Sequence, residues 1–203
     1  MCLLFHKPKG VTFDEEHLRD FYLRNQDGFG VMYAEDGKLH FAKEIGSVKD
    51  WLAFYKRHEH RDAMFHLRMQ THGNIDMENT HPYPVFGFER DEAGKPIASD
   101  QPPLLLMHNG VLYSGNAEDT TKSDTWHYIR DYLRPMLHNN GNFVFTPAFN
   151  EIIGKHIGTS NKFALMDATG RLQIVNRSSG VEYGGAWFSN TYAWSATTYM
   201  KLG

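Results

Sequence analysis

Residues 1–10 read MCLLFHKPKG, and Cys2 is the only cysteine in a chain of 203 residues. Residues 2–6 form a short apolar run with the look of a buried strand. Two readings of Cys2 follow. In the first it is a small apolar residue that opens the strand. In the second Met1 is removed, and Cys2 then carries a thiol and a free α-amino group on one residue. Position alone does not separate them.

Composition narrows the class. The length suits one domain, residues 1–203, and at this size about 70% of the unfolded surface can be buried without a disulfide or metal staple. A lone cysteine forms no internal disulfide and points to a reducing, cytoplasmic setting. Lys7, Lys9, Asp14 and Glu15 interrupt any leader-type apolar region, so a signal peptide is not expected. No apolar run reaches about 18 residues, so a membrane span is not expected either. A net charge of −3 gives no electrostatic footprint for nucleic acid.

The periodicity predicts the elements. Thr12 and Glu15 have capping-box spacing ahead of a helix with Leu18, Phe21 and Tyr22 on one face. Asp36-Gly37, between apolar runs, signals a type I′ hairpin. Ser47 caps a second helix, and residues 63–69 alternate as a strand with His66 and Arg68 on one face. A polar loop spans 70–83, and a charged, turn-rich stretch over 89–103 reads as a surface excursion. The run LLLMHNGVLY (104–113) is a strand that turns at Asn109-Gly110. Ser123 caps one helix; Thr146, Pro147 and Gly158 bracket another. Strands follow to residue 194, with a turn near Thr169-Gly170. The order predicts an α+β layered domain of mostly antiparallel sheets.

Four stretches bear chemistry: Cys2, residues 65–85, residues 107–112 and residues 122–126. Singly, each has an ordinary structural reading. Together they match the needs of a free glutamine. Its α-carboxylate calls for a guanidinium, which Arg68 supplies in a forked geometry that lysine lacks. Its α-ammonium calls for a carboxylate, and Asp124 has the right sign. Hydrolysis of its amide needs a nucleophile, a base and donors for an oxyanion. The Cys2 thiol and its own α-amine, with a pKa of roughly 7.7–8.0, provide the first two. The Asn109 side-chain NH₂ and the Gly110 backbone N–H provide the donors.

These residues resemble the class II glutamine amidotransferases, which are N-terminal-nucleophile hydrolases. The resemblance rests on Met1-Cys2, Asp27-Gly28-x-Gly30, His66-x-Arg68-x-x-Thr71-x-Gly73, Asn79-x-His81-Pro82, His108-Asn109-Gly110 and Ser123-Asp124-Thr125, in that order. It implies a four-layer αββα sandwich with Cys2 at the end of an inner strand. It implies that Arg68 holds the glutamine carboxylate and Asp124 the ammonium, that Asn109 and Gly110 form the oxyanion hole, and that Thr71, His72 and Gly73 line the pocket. Arg24, Asp27, His81 and His108 would support the site. Two positions depart from the pattern: Gln70 stands where many members have a small residue, and Asn25 where many have glycine in the loop that contains Arg24. No cofactor is implied. The ammonia would pass to a separate synthase subunit or be released by plain hydrolysis through a γ-glutamyl thioester.

Rival readings remain open at this stage. The same nucleophile could hydrolyse another amide, such as a γ-glutamyl compound. Twelve histidines, with His66, His72, His81 and His108 in the same stretches, raise a metal-binding module, but no H-x-x-x-H or C-x-x-C spacing supports one. A non-catalytic binding module would have no use for the retained Cys2.

Overall fold

Strand alternation sends the side chains of β1 (Leu3–Lys7) into two different layers. Leu3 and Phe5 enter one hydrophobic core, and Leu4 enters another. The neighbouring β4 (Ala63–Leu67) does the same: Ala63, Phe65 and Leu67 join the first core and Met64 the second. A strand buried on both faces must lie inside a stack of layers. The computed structural model describes residues 2–88, 99, 101–112 and 119–194, and β1 sits in the middle of that stack.

One sheet adds β2 (Phe29–Glu35), β3 (Lys38–Glu44), β9 (Val181–Tyr183) and β10 (Ala186–Phe188), in the order β3-β2-β4-β1-β10-β9. The other comprises β5 (Tyr83–Phe86), β6 (Leu104–Asn109), β7 (Lys162–Asp167) and β8 (Leu172–Val175), in that order. Every pairing is antiparallel. Between the sheets lie Leu4, Met32 and Met64 from one and Leu105, Met107, Ala164 and Met166 from the other. Helices α1 (Glu15–Leu23) and α2 (Val48–His58) cover the outer face of the first sheet through Leu18, Phe21, Trp51 and Phe54. Helices α3 (Asp124–Tyr128), α4 (Arg134–Leu137) and α5 (Pro147–Ile157) cover the second through Tyr128, Leu137, Phe149 and Ile153. The architecture is the expected αββα sandwich. At its centre the Phe5 ring stacks on Phe65 at 5.1 Å and on Phe188 at 5.5 Å.

Several local expectations hold for their stated reasons. Asp36 and Gly37 have φ of 52° and 71°, the pair of positive values that a type I′ turn requires. Ser47 and Asp50 form a reciprocal capping box. Thr146 caps α5, with Pro147 in its first turn and Gly158 ending it at φ 77°.

Two others are corrected, and one strand had no expectation attached to it. The cap of α1 is Asp14, not Thr12: its carboxylate accepts from the His17 backbone N–H at 3.0 Å and meets the His17 ring at 2.6 Å. The helix expected after Ser123 is broken into α3 and α4 by a π-helical turn over 129–133. Strand β5 lies where proline interrupts the pattern; Pro84 is tolerated because β5 is a sheet edge and needs no N–H on its outer side. Of the expected surface excursion, residues 89–98 and 100 lie outside the described residues. No helix among the described residues is long and apolar enough to cross a membrane.

Gly30 sets how closely the loop before β5 approaches the first sheet. A Cβ there would overlap the backbone carbonyl oxygen of His81, and neither chain can give way cheaply. Gly37, by contrast, has open space around a Cβ and only its positive φ to lose. Gly30→Ala should therefore destabilise the protein by about 3 kcal/mol or prevent folding, against about 1 kcal/mol for Gly37→Ala. Urea denaturation of the two variants measures this; equal losses would show that the His81 backbone is free to move.

Candidate active site

Cys2 lies just before β1, where the strand's ladder runs out. Its sulfur accepts from the Met69 backbone N–H and sits at the same 3.4 Å from the Met69 carbonyl oxygen. Its own carbonyl accepts from Asn190 Nδ2 at 2.9 Å. Some of the residue remains exposed, but the protein packed around the sulfur pushes the thiol pKa above its ordinary value. The Met69 amide and the Arg68 guanidinium pull it down, while the Asp124 carboxylate pushes it up. Arg68 and Asp124 thus both act electrostatically on the one sulfur. A buried, unionised thiol needs a base to become a nucleophile.

Arg68 follows β4 and is 3% exposed. Its Nη1 donates to the Asn74 carbonyl at 2.8 Å and its Nη2 to the His72 carbonyl at 3.1 Å. A guanidinium carries five N–H donors, so these two bonds wrap the 72–74 turn around Arg68 and leave further donors uncommitted. Gln70, one of the departures from the family pattern, closes the same turn. Its backbone N–H donates to the Asp27 carboxylate at 2.8 Å and its side-chain amide to the Gly73 carbonyl at 2.5 Å. Gly73, at φ 71°, packs so closely on the start of α3 that a Cβ would come within 2.8 Å of the Ser123 nitrogen. Thr71 and His72 have exposed side chains.

Asn79 fastens this loop to the next. Its amide donates to the Thr121 carbonyl at 2.8 Å, and its carbonyl accepts from the Ser123 N–H at 2.8 Å. That clamp brings Asp124 into the Arg68 neighbourhood. The Asp124 carboxylate is 6% exposed and accepts from the backbone N–H groups of Leu112 and Thr125, each at 2.7 Å.

Asn109 ends β6 and Gly110 turns out of the sheet at φ 137°. A Cβ at Gly110 would collide with the Asn161 side-chain oxygen, so only glycine fits. Asn109 Nδ2 lies 2.6 Å from Ser189 Oγ, while Asn109 Oδ1 is buried with no hydrogen-bond partner among the described residues. The backbone N–H of Leu4, inside β1, also reaches Ser189 Oγ at 3.0 Å. Asn109, on the second sheet, is thereby tied to the strand that Cys2 precedes.

Three buried histidines, His66, His81 and His108, cluster beside Asn109. His108 is anchored on both nitrogens, to Thr125 Oγ1 at 2.8 Å and Asn161 Oδ1 at 2.9 Å. The Asn161 oxygen only accepts, so Nε2 carries the proton and Nδ1 accepts from the Thr125 hydroxyl. His66 donates to the His108 carbonyl at 3.1 Å, and its ring lies 4.1 Å from that of His81. His81 is buried, with neither ring nitrogen partnered among the described residues. Among the described residues, no group of three His, Cys, Asp or Glu side chains is placed to hold a metal ion.

A pocket of about 690 Å³ opens beside Met69, lined by Arg24, Gln26, Asp27 and Tyr192 among others. Arg24 is exposed on its wall. Asn25, the other departure, does its work with a side chain: Nδ2 donates to the Phe21 carbonyl at 2.9 Å and finishes α1. The residues that sequence reasoning missed are Asn74, Asn161, Ser189 and Asn190. Asn79 was inside a quoted motif. Ser189 and Asn190 sit in SNTY, a polar step after the AWF strand, and carry no signal of their own.

Burial holds the His66 imidazole down to about 3, helped by the charges of His108 and Arg68. Burial likewise lowers His81 and His108. These rings stay neutral when folded but take up protons when unfolded, below their ordinary value near 6.5. Their contribution to stability is therefore complete above about pH 6.5 and is lost as pH falls toward about 3. Thermal melts at pH 7.5 and pH 5 should show a lower midpoint at pH 5. His81→Phe should flatten that difference, and an unchanged difference would assign the acid sensitivity elsewhere.

No protein-family profile matches the chain. Over 91 residues it is 30% identical to the glutamine–fructose-6-phosphate aminotransferase (isomerizing) of Aquifex aeolicus (strain VF5), a match covering 44% of this chain and 13% of that protein. The glutamine phosphoribosylpyrophosphate amidotransferase from B. subtilis, complexed with ADP and GMP, superposes with a TM-score of 0.53 at 16% identity, over 96% of this chain and 43% of that one. A structure described as the allosteric regulatory enzyme of purine biosynthesis gives 0.56 at 17% identity, with the same coverage. The chain thus spans less than half the length of each of these three proteins. What these share with it is the fold: the chain has the fold of the class II, N-terminal-nucleophile glutamine amidotransferases.

Proposed function

We propose that the chain hydrolyses the side-chain amide of glutamine, with Cys2 as an N-terminal nucleophile once Met1 is removed. The observation that carries this reading is the setting of the Cys2 sulfur. It is held against Met69 and acted on by both Arg68 and Asp124, while the backbone carbonyl of Cys2 is linked through Asn190 and Ser189 to Asn109.

In this reading the α-amine of Cys2 takes the thiol proton, which supplies the base that a buried thiol lacks. The thiolate adds to the amide carbonyl carbon of glutamine. Negative charge on the carbonyl oxygen is met by Asn109 Nδ2 and the Gly110 N–H. The protonated amine then gives its proton to the departing nitrogen, ammonia leaves, and a γ-glutamyl thioester remains. Water activated by the same amine adds to the thioester, releasing glutamate and restoring the thiol. Arg68 takes the substrate α-carboxylate with donors not spent on His72 and Asn74, and Asp124 takes the α-ammonium. Transfer of the ammonia to an acceptor on another polypeptide is compatible with the same half-reaction.

Intact mass of the protein after incubation with a glutamine-mimicking diazoketone tests the nucleophile. The expected result is loss of the Met1 mass plus one adduct, blocked by excess glutamine; Met1 retained with no adduct would return Cys2 to a purely structural role. Cys2→Ala should abolish ammonia release from glutamine and leave the melting temperature nearly unchanged. Arg68→Lys should raise KM roughly tenfold to a hundredfold through loss of a forked charge-assisted bond worth roughly 1.5–3 kcal/mol. An unaltered KM would mean that the carboxylate binds elsewhere. Running γ-glutamyl dipeptides beside glutamine separates amide hydrolysis of the free amino acid from that of a larger γ-glutamyl compound.

A further inference from the structure

Ser189 follows the last residue of β10 and is completely buried. Three nitrogens converge on its hydroxyl oxygen: the Leu4 backbone N–H at 3.0 Å, Asn190 Nδ2 at 3.3 Å and Asn109 Nδ2 at 2.6 Å. A hydroxyl has two lone pairs and one proton of its own. Three donors overfill it and leave its proton without an acceptor. The Asn109 oxygen, meanwhile, is buried without a donor among the described residues. A half-turn of the Asn109 carboxamide removes both faults. The Ser189 hydroxyl then donates to Asn109 Oδ1, and its two lone pairs accept from Leu4 and Asn190.

We propose that Ser189 is a positioning residue for the oxyanion hole. By donating its proton to Asn109 Oδ1 it turns the Asn109 NH₂ group toward the reacting carbonyl. The inference rests on the reading of Asn109 as an oxyanion donor. Two features give Ser189 this role rather than a merely structural one. Asn109 belongs to one sheet, whereas Ser189 extends the other, so no backbone ladder fixes their relation. The same hydroxyl also takes the Leu4 N–H, and the next residue, Asn190, takes the Cys2 carbonyl. The Ser189-Asn190 pair therefore locks the nucleophile and the oxyanion donor to one point. In the ladder of β1 with β10 the partners are Phe5–Phe188 and His6–Trp187; beyond them the Ser189 backbone N–H still donates to the Leu4 carbonyl at 2.8 Å, and the two side chains add their bonds to Leu4 and Cys2.

The test is a double-mutant cycle on glutamine hydrolysis. Ser189→Ala should lower kcat on the order of tenfold, less than the hundredfold or more that follows outright loss of an oxyanion donor, with KM nearly unchanged. The same substitution in an Asn109→Ala background should lower kcat no further, because Ser189 acts through Asn109. Additive losses, or a rise in KM with kcat unchanged, would overturn the inference. A neutron structure of the wild-type protein gives an answer that needs neither turnover nor a folded variant. The expected result is the Ser189 proton on the line to Asn109 Oδ1; Asn109 Nδ2 protons directed at Ser189 would overturn it. A wild-type protein that shows this bond but releases no ammonia from glutamine would refute the proposed reaction and leave the hydrogen-bond assignment standing.

Discussion

Strand β1 is hydrogen-bonded to β4 along one edge and to β10 along the other. Most of what matters here depends on that double seat. It holds the backbone at Leu3 in register with Leu67, which puts Cys2 beside the chain leaving β4 at Arg68 and Met69. Because both faces of β1 are buried as well, the end of the strand has little freedom to wander. A reactive group placed there is held by the centre of the fold, with cores on both sides, rather than by a surface loop. Phe5, two residues from Leu3, anchors the arrangement by stacking against one aromatic from each neighbouring strand.

Beyond the ladder, side-chain amides and hydroxyls add to the few backbone bonds that continue there. Asn190 and Ser189 bond to the first residues of β1, Asn79 binds the loop after β4 to the start of α3, and Gln70 closes the turn around Arg68. Such bonds have short reach and fixed direction, so they define positions more tightly than apolar contact does. Glycine is needed where the chains come too close for any side chain, at Gly30 against His81 and at Gly110 against Asn161. The neutral imidazoles of His66, His81 and His108 fill the space near the end of the inter-sheet layer. Two of them leave ring nitrogens unbonded among the described residues, at a cost that burial of their apolar edges must offset.

A good share of this was readable from residue order. The capping box at Ser47, the Asp36-Gly37 turn and the Thr146-Pro147-Gly158 brackets are local chemistry, settled within four or five residues of themselves. The helix start at Asp14 was misplaced by two residues because two acceptable caps compete there, and the one whose carboxylate also reaches a histidine ring prevails. The π-helical turn after Tyr128 and the edge strand containing Pro84 are consequences of packing, with no periodic trace. The grouping of Cys2, Arg68, Asn109 and Asp124 was inferred from their chemical types, as the set a zwitterionic amide would require.

Sequence by itself determined which groups are present, the alternation that buries β1 on both faces, and the caps and turns that bound the elements. Those features depend on neighbours along the chain, so residue order contains them. Tertiary structure alone decided how the groups meet. Ser189 and Asn190 lie 80 or more residues from Asn109 and nearly the whole chain away from Cys2, and nothing in the tetrapeptide SNTY distinguishes it from an ordinary loop. Its importance comes from where β10 delivers it, at the end of the strand that Cys2 begins and across from the end of β6. That is a property of how two sheets stack, since a hydrogen bond acts over about 3 Å of space whatever the distance along the chain.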